Sequence, residues 1–314
     1  MTDLRGAGEG NSATARATAS PGGGRRSPGL GPLPWIGPAL LLIFGVVLWP
    51  AVEMLRTSVL DISMSGVSRG FAGTQNFEHL FANPDLLSIL IRTISWVVVV
   101  VGVTILISLG LAALLNAAFP GRRIVRWALI VPWAASVVMT ATIWRWMLDG
   151  FYGIVNRVLF DLGLIANPVN DWLGTPSVAF VWLIAVAIFV SLPFTTYVIL
   201  AGLQAIPGDI YEAARVDGAT GLRTYRYITL PLLRPALLVA TIINMINVFN
   251  SFPIIWAMTQ GGPGSQTDTT TTFMYKLAFR FQDIGQSAAL AVVNLGVILI
   301  FVLFYLRVVD WRRA

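Results

Sequence analysis

Four polar residues stand inside an otherwise apolar stretch: Asn244, Asn247, Asn250 and Ser251. Their offsets of three, six and seven place them broadly along one face of a helix. An amide left unpaired in hydrocarbon costs several kcal/mol, so these groups must meet other protein or a wet cavity. Phe249 and Phe252 flank them. Amides beside aromatic rings suit a sugar, whose edge hydroxyls hydrogen-bond while its CH face packs on a ring. The competing reading is hydrogen bonding between helices, worth about 0.6 kcal/mol per bond. A second stretch, SLPFTTY at 191–197, carries Pro193, which removes a backbone hydrogen bond and kinks a helix. That leaves Ser191, Phe194 and Thr195 able to face the same cavity; a plain packing kink is the alternative. No fixed positive charge accompanies the amides, which favours a neutral saccharide over a phosphoester or an acidic sugar. Trp133, Trp144 and Trp146 lie in another apolar stretch, the last two suited to a membrane-interface belt and Arg145 between them to a lipid headgroup.

The second constellation is PGDIYEAARVDGATGLRTYRYITLPLLRP at 207–235. Pro207 and Asp209 suit the first turn of a helix, where a missing N–H is harmless and an acid meets the positive dipole end. Gly218 is placed to end that helix in a left-handed turn. Thr220 is placed to cap a second helix leading through Tyr225 and Tyr227. The result is a compact knob. Small Ala213 and Ala214 let it sit deep in a groove, while Glu212 and Asp217 offer carboxylates to a partner's arginine or backbone donors. An ordinary capped loop is the alternative.

Other chemistries are excluded by what the sequence lacks. There is no cysteine, so no disulfide, Fe–S cluster or catalytic thiol can form. The one histidine, His79, cannot build a histidine metal cage. The one lysine, Lys276, lies in FMYKLAF without the glycine turn of a P-loop, so the chain does not hydrolyse ATP by that device. Ionisable groups are scarce inside the apolar stretches, which argues against proton relays and voltage sensing; sodium coupling through backbone carbonyls stays open.

The elements that must hold these residues are transmembrane helices. Of 314 residues, 56% are hydrophobic and only 11% charged; soluble domains carry about 25% charged residues. Six apolar segments, near 34–56, 91–117, 124–147, 177–203, 235–259 and 287–307, each reach the ~20 residues that span a bilayer core. The chain is thus expected to be an all-α integral membrane protein with six transmembrane helices. Most of its 21 basic residues fall at the two ends and in the second-to-third and fourth-to-fifth connections. The positive-inside rule then makes both termini cytoplasmic. The net charge of +6 is explained by that asymmetry, without nucleic acid as a partner. Residues 1–33 are rich in Gly, Ser, Ala and Arg and are expected to be disordered and cytoplasmic, ahead of a retained first helix. The membrane-embedded body runs from 34 to 314. Its outward connections are too short for a substrate-capturing domain, so any receptor is another polypeptide.

EAARVDGATGLRTYRYITLPLLRP resembles the EAA loop of membrane subunits of binding-protein-dependent ABC importers. Matching positions are Glu212, Ala213, Ala214, Asp217, Gly218, Ala219, Leu230, Pro231 and Pro235, with Tyr225 where a Phe is common. AGLQAIP at 201–207, TQGGPGSQTDT at 259–269 and WRWMLDGFYGIVNRVL at 144–159 are similar to segments of the maltose and glycerol-3-phosphate class. That class's maltose-type subunit has extra helices and a large outer domain which this chain lacks. The resemblance implies a type I ABC importer permease fold with a coupling loop at 204–234. It implies a second homologous permease subunit, two cytoplasmic ATPase subunits that bind ATP and Mg, and an extracytoplasmic solute-binding protein. It also implies a cell-membrane location and a sugar or polyol cargo. On this reading the chain binds no cofactor or metal and is not itself an enzyme. The sugar site carries over to Asn247, Val248 and Ser251, with Asn244 nearby. An ion-coupled secondary transporter is the alternative.

Overall fold

The computed structural model describes residues 33–309. Contacts divide the chain into two units, residues 1–50 and 51–314. The segment read as a disordered head lies outside the described residues up to position 32, as do Arg312 and Arg313. The first apolar segment forms helix α1 (Leu33–Leu42), a π-wound stretch (Ile43–Leu48) and α2 (Trp49–Thr57).

In the second unit, a short antiparallel ribbon pairs β1 (Leu60–Ile62) with β2 (Ser68–Phe71), a small departure from the all-helical expectation. Helix α3 (Gln75–Phe81) follows, and α4 (Leu86–Asn116) is the longest helix. Its 31 residues span about 46 Å at 1.5 Å per residue. The third segment forms α5 (Arg122–Ala134) and α6 (Val137–Met147), and α7 (Ile154–Asp161) lies beyond it. Helix α8 (Pro176–Gln204) keeps Pro193 within one continuous helix. Next come α9 (Gly208–Val216), α10 (Gly221–Thr224), a π-wound Tyr225–Thr229 and α11 (Leu230–Leu232). Helices α12 (Arg234–Phe249), α13 (Phe252–Met258), α14 (Thr270–Tyr275), a π-wound Lys276–Arg280 and α15 (Ile284–Val309) complete the described chain.

Six uninterrupted spans are not what these segments form. Among the described residues, four helices, at Trp35–Thr57, Leu86–Asn116, Pro176–Gln204 and Ile284–Arg307, are long and apolar enough to cross a membrane. A fifth span arises if Gly221–Leu232 and Arg234–Phe249, bent by 67°, count as one. The bend has a backbone cause: Pro235 opens α12 without an N–H to donate, and Leu233 sits at φ −78°, ψ −8°. The two expected spans outside the four, the third and the fifth, are each broken within their apolar stretch. Ala135 and Ser136 are extended between α5 and α6, and Asn250 and Ser251 leave helical geometry between α12 and α13. Residue counting over apolar stretches cannot see such breaks.

Three buried clusters hold the second unit. One joins Trp96, Val97 and Val100 of α4 to Leu183 and Val186 of α8, Val248 of α12 and Ile255 of α13. A second packs Leu80, Leu86 and Ile89 against Phe273, Leu277 and Leu290. The third lies where α4, α8 and α12 approach the knob, around Leu115, Ile199, Leu203 and Leu233. There Gly202 lets α8 and α12 close up: a Cβ in its place would lie 2.4 Å from the Ala236 Cβ. Buried polar contacts cross the same seams. Thr196 Oγ1 donates to Ser108 Oγ at 3.1 Å, and the Tyr197 hydroxyl donates to the Arg126 carbonyl at 2.9 Å. The leucines, isoleucines and valines left exposed on α4, α8 and α15 form a surface suited to lipid or to another apolar protein.

Candidate functional site

Both breaks open onto one cavity. It measures about 490 Å³ and is lined by residues of α5, α6, α8, α12 and α13. Ala135 and Val137 reach it from the first break, Asn250, Ser251 and Pro253 from the second. Irregular backbone at membrane depth is tolerated where it lines a cavity, because its freed polar groups find partners there. Interrupted helices are also how membrane transporters build solute sites.

Seven of the nine residues singled out from sequence line this space: Ser191, Phe194, Asn244, Asn247, Val248, Asn250 and Ser251. The lining includes no Asp, Glu, Lys, Arg or His. Its polar groups divide into two sets. Asn250 Nδ2 donates to the Ile246 carbonyl at 2.9 Å. Ser251 Oγ donates to the Val248 carbonyl at 2.6 Å and accepts from Trp96 Nε1 at 3.0 Å. These two are tied up in holding the break. Asn244 is different: only 2% exposed, it leaves its Nδ2 buried with no hydrogen-bond partner. Such a donor is costly in an apolar interior unless something supplies an acceptor. Asn247, one turn on, is exposed on the cavity side.

Two residues fall elsewhere. Thr195 is fully buried and its hydroxyl donates to the Ser191 carbonyl at 2.9 Å, so it is satisfied within α8. Phe252 turns away to stack on Trp256, with centroids 5.4 Å apart, and to meet Tyr275 at 5.0 Å. Both were placed by counting along helices. The break at Asn250 and Ser251 resets the phase for Phe252, and on α8 Ser191 and Phe194 hold the cavity face while Thr195, about 100° round from Phe194, turns inward. Among the lining residues outside the expected set is Trp133. It stands 59% exposed on the cavity wall beside the break between α5 and α6. Arg145, read as a headgroup anchor, donates to the Ala257 carbonyl at 3.3 Å.

The second constellation forms a knob over residues 207–229. Pro207 precedes α9 and Asp209 lies in its first turn. The helix ends as its glycine requires. Gly218 adopts φ +73°, its N–H donates to the Arg215 carbonyl at 3.1 Å, and the Ala219 N–H donates to the Ala214 carbonyl at 2.9 Å. This pair of bonds around a left-handed residue is the Schellman arrangement. Thr220 stands before α10 in extended geometry, yet its hydroxyl makes no cap bond, and α10 is a single turn that passes into the π-wound segment. Ala214 is buried against the body of the protein, whereas Glu212, Ala213 and Asp217 are exposed. Val216 and Leu222 are 88% and 81% exposed beside them. Tyr211 ties the knob down from behind, accepting from Thr229 Oγ1 at 3.3 Å.

These features have counterparts in known proteins. Residues 30–313 match the family described as the binding-protein-dependent transport system inner membrane component. The trehalose/maltose transport system permease protein of Thermococcus litoralis is 36% identical over 246 residues, 77% of this chain and 81% of that one. The sulfoquinovosyl glycerol transport system permease protein of Agrobacterium fabrum is 34% identical over 278 residues, covering 88% and 89%. In fold, a subunit of a bacterial ABC transporter involved in the import of the acidic polysaccharide alginate superposes with a TM-score of 0.76. It is 22% identical and covers 88% of this chain and 94% of its own. The type I permease fold is therefore present, with a cavity at its helix breaks and a knob carrying the EAA sequence. The chain belongs to the family of binding-protein-dependent transport system inner membrane components and is a non-catalytic permease subunit of an ABC transporter.

Proposed function

We propose that this permease passes an uncharged sugar or related polyol, delivered by an extracytoplasmic binding protein, through the cavity at its two helix breaks. One observation carries the reading: a cavity lined by amides and hydroxyls, with the Asn247 amide exposed, and by no charged side chain. A hydroxyl-rich neutral solute suits the exposed Asn247 amide. Phe194 and Val248 give the apolar faces that a sugar's CH groups pack against. An anion buried among these walls would lack a counter-charge, which is expensive in a low-dielectric site. The similarity to permeases named for trehalose/maltose and sulfoquinovosyl glycerol transport supports a carbohydrate cargo.

In this reading the knob is the power inlet. Two cytoplasmic ATPase subunits, which hold ATP and Mg, grip α9 and its terminal turn through Glu212, Ala213, Asp217, Gly218 and Ala219, while Ala214 seats the helix on the permease itself. A second homologous permease completes the pore. The chain itself binds no cofactor. It sits in the cell membrane with both termini in the cytoplasm, so the knob faces the ATPases. Work passes through the knob only if its contacts differ between the two nucleotide states of the ATPase. Nothing in the comparisons favours the ion-coupled alternative.

The test is reconstitution of the complete complex with its own binding protein, followed by uptake of neutral sugars and of their acidic or phosphorylated analogues. Uptake of neutral sugars is expected, falling about tenfold in Asn247→Leu, the loss of one hydrogen bond to the solute. Preference for the anionic analogues would overturn the reading.

A further inference from the structure

A second, smaller cavity of about 240 Å³ adjoins the first, lined by Ile130, Trp133, Pro193, Phe194 and Tyr197. Its walls are apolar. Trp133 and Phe194 line both spaces, so these two rings stand on the boundary between them. The direction of the smaller space is fixed by the chain. Along α8, Ser191 lines the large cavity only, Phe194 both, and Tyr197 the small one only, with the knob beginning just past Gln204. On α5, Ile130 lies one turn before Trp133, toward the basic start of that helix. The small chamber therefore lies between the polar cavity and the knob. Its walls are held there by the Tyr197 bond to the Arg126 carbonyl.

We propose that Trp133 and Phe194 form an aromatic threshold on the exit route, holding the ring face of the solute above and closing the apolar chamber below until the knob moves. The proposal rests on the sugar reading of the cavity. Three points carry it. Trp133 is far more exposed than a packing residue needs to be, at 59%, and it lines both spaces. The chamber is about half the volume of the cavity, so a solute filling the first enters the second only if the walls part. Finally, a hydroxylated solute gives up its hydrogen bonds on entering an apolar space, and a hydrophobic constriction of this kind also excludes water. The threshold is placed to feel the knob. Pro193 removes a backbone bond immediately before Phe194, and α8 runs from there into the knob without a further break.

The experiment uses the complete reconstituted complex with its binding protein, and reads trehalose or maltose moved per ATP hydrolysed. Trp133→Leu keeps apolar bulk but removes the flat face; Trp133→Phe keeps a ring. A breached threshold lowers sugar moved per ATP about tenfold in the Leu variant and is rescued to within about twofold by Phe, the scale expected for one apolar ring face. A packing defect would instead lower uptake and hydrolysis together and leave the ratio alone; an unchanged ratio in Trp133→Leu, or equal ratios for Leu and Phe, overturns the threshold. Phe194→Leu repeats the measurement from the other wall, so failure of one variant to assemble still leaves a decision. If the unaltered complex moves no neutral pyranoside at all, the sugar reading fails first, and that result is distinct from a threshold that does not matter.

Discussion

The knob at 207–229 and the segment at 259–283 are both polar stretches between apolar helices, yet they are built oppositely. In the second, which caps the bundle around α14, Thr267, Asp268, Thr269, Thr270, Thr271 and Thr272 are all buried. Lys276 Nζ donates to Asp268 Oδ2 at 2.6 Å with both side chains almost wholly out of solvent. Arg92 reaches from α4 to donate to the Asp268 and Ser265 carbonyls at 2.9 and 3.1 Å. Thr93 accepts from the Thr270 N–H at 2.9 Å, and Thr269 with Thr272 forms a reciprocal cap. Most of the cap's buried polar groups find partners within the chain, with Asp268 Oδ1 and Thr270 Oγ1 the exceptions. The knob leaves Glu212, Val216, Asp217 and Leu222 exposed and has one buried residue in α9, Ala214. A segment that spends its polar groups internally is a fixed frame; one that leaves carboxylates and apolar side chains outward is a surface awaiting a partner.

The largest effect expected is from splitting the buried pair. Lys276→Ala leaves the Asp268 carboxylate buried without its cation, and breaking one side of such a pair costs about 3–5 kcal/mol. Thermal unfolding of the purified complex should show the chain strongly destabilised. Asp268→Asn combined with Lys276→Gln removes both charges while keeping shape, and should recover most of the loss, because two desolvation penalties vanish with the attraction. If the double variant is as unstable as the single one, the cap is held by shape and not by charge.

Next come two glycines that adopt left-handed geometry, one in each segment. Gly261, at φ +80°, is pressed onto the Asp268 carboxylate and lies near Lys276 Nζ, so that no Cβ fits. Gly218, at φ +73°, has nothing within 4 Å of where a Cβ would go. Gly261→Ala therefore meets both backbone strain and collision and should cost about 2–4 kcal/mol. Gly218→Ala meets strain alone, about 1–2 kcal/mol. Equal midpoint shifts for the two would mean that crowding in the cap is relieved by movement.

How much of this contrast was legible in the sequence differs between the segments. The knob could be read almost residue by residue, since Pro207, Asp209 and Gly218 act through the backbone within a few positions of themselves. Two details failed: α10 is a single turn without the Thr220 cap bond that passes into a π-wound stretch, and Ala214 packs inward instead of facing a partner's groove. The cap could not be read. Lys276 and Asp268 are eight apart and meet only after the chain turns through Gly261 and Gly264, and nothing local marks the lysine as buried. The cavity lies between these cases. Asn244, Asn247 and Ser251 announced themselves as amides and hydroxyl in an apolar stretch. Trp133 did not, because a tryptophan in a span has many ordinary uses, and its role depends on a break at Ala135 and Ser136 that hydropathy does not reveal.

The smallest effect on folding is expected where the largest effect on transport lies. Glu212 is exposed, and no hydrogen bond or ion pair within the described residues involves its side chain. Removing a surface carboxylate of that kind changes stability by less than about 0.5 kcal/mol. Glu212→Ala should therefore unfold at the temperature of the unaltered protein and assemble into the membrane to the same extent. If α9 is gripped by an ATPase, the same change removes a charge-assisted contact that forms only with the partner, worth about 1.5–3 kcal/mol. Uptake should then fall by about tenfold or more while the fold stays intact. The cap's buried pair allows no such separation, since Lys276 and Asp268 are already spent on each other within the chain. A Glu212→Ala complex that transports normally would put the knob in the same class as the cap, a piece of scaffold whose polar surface does no work, and would move the coupling contact to Val216 and Leu222.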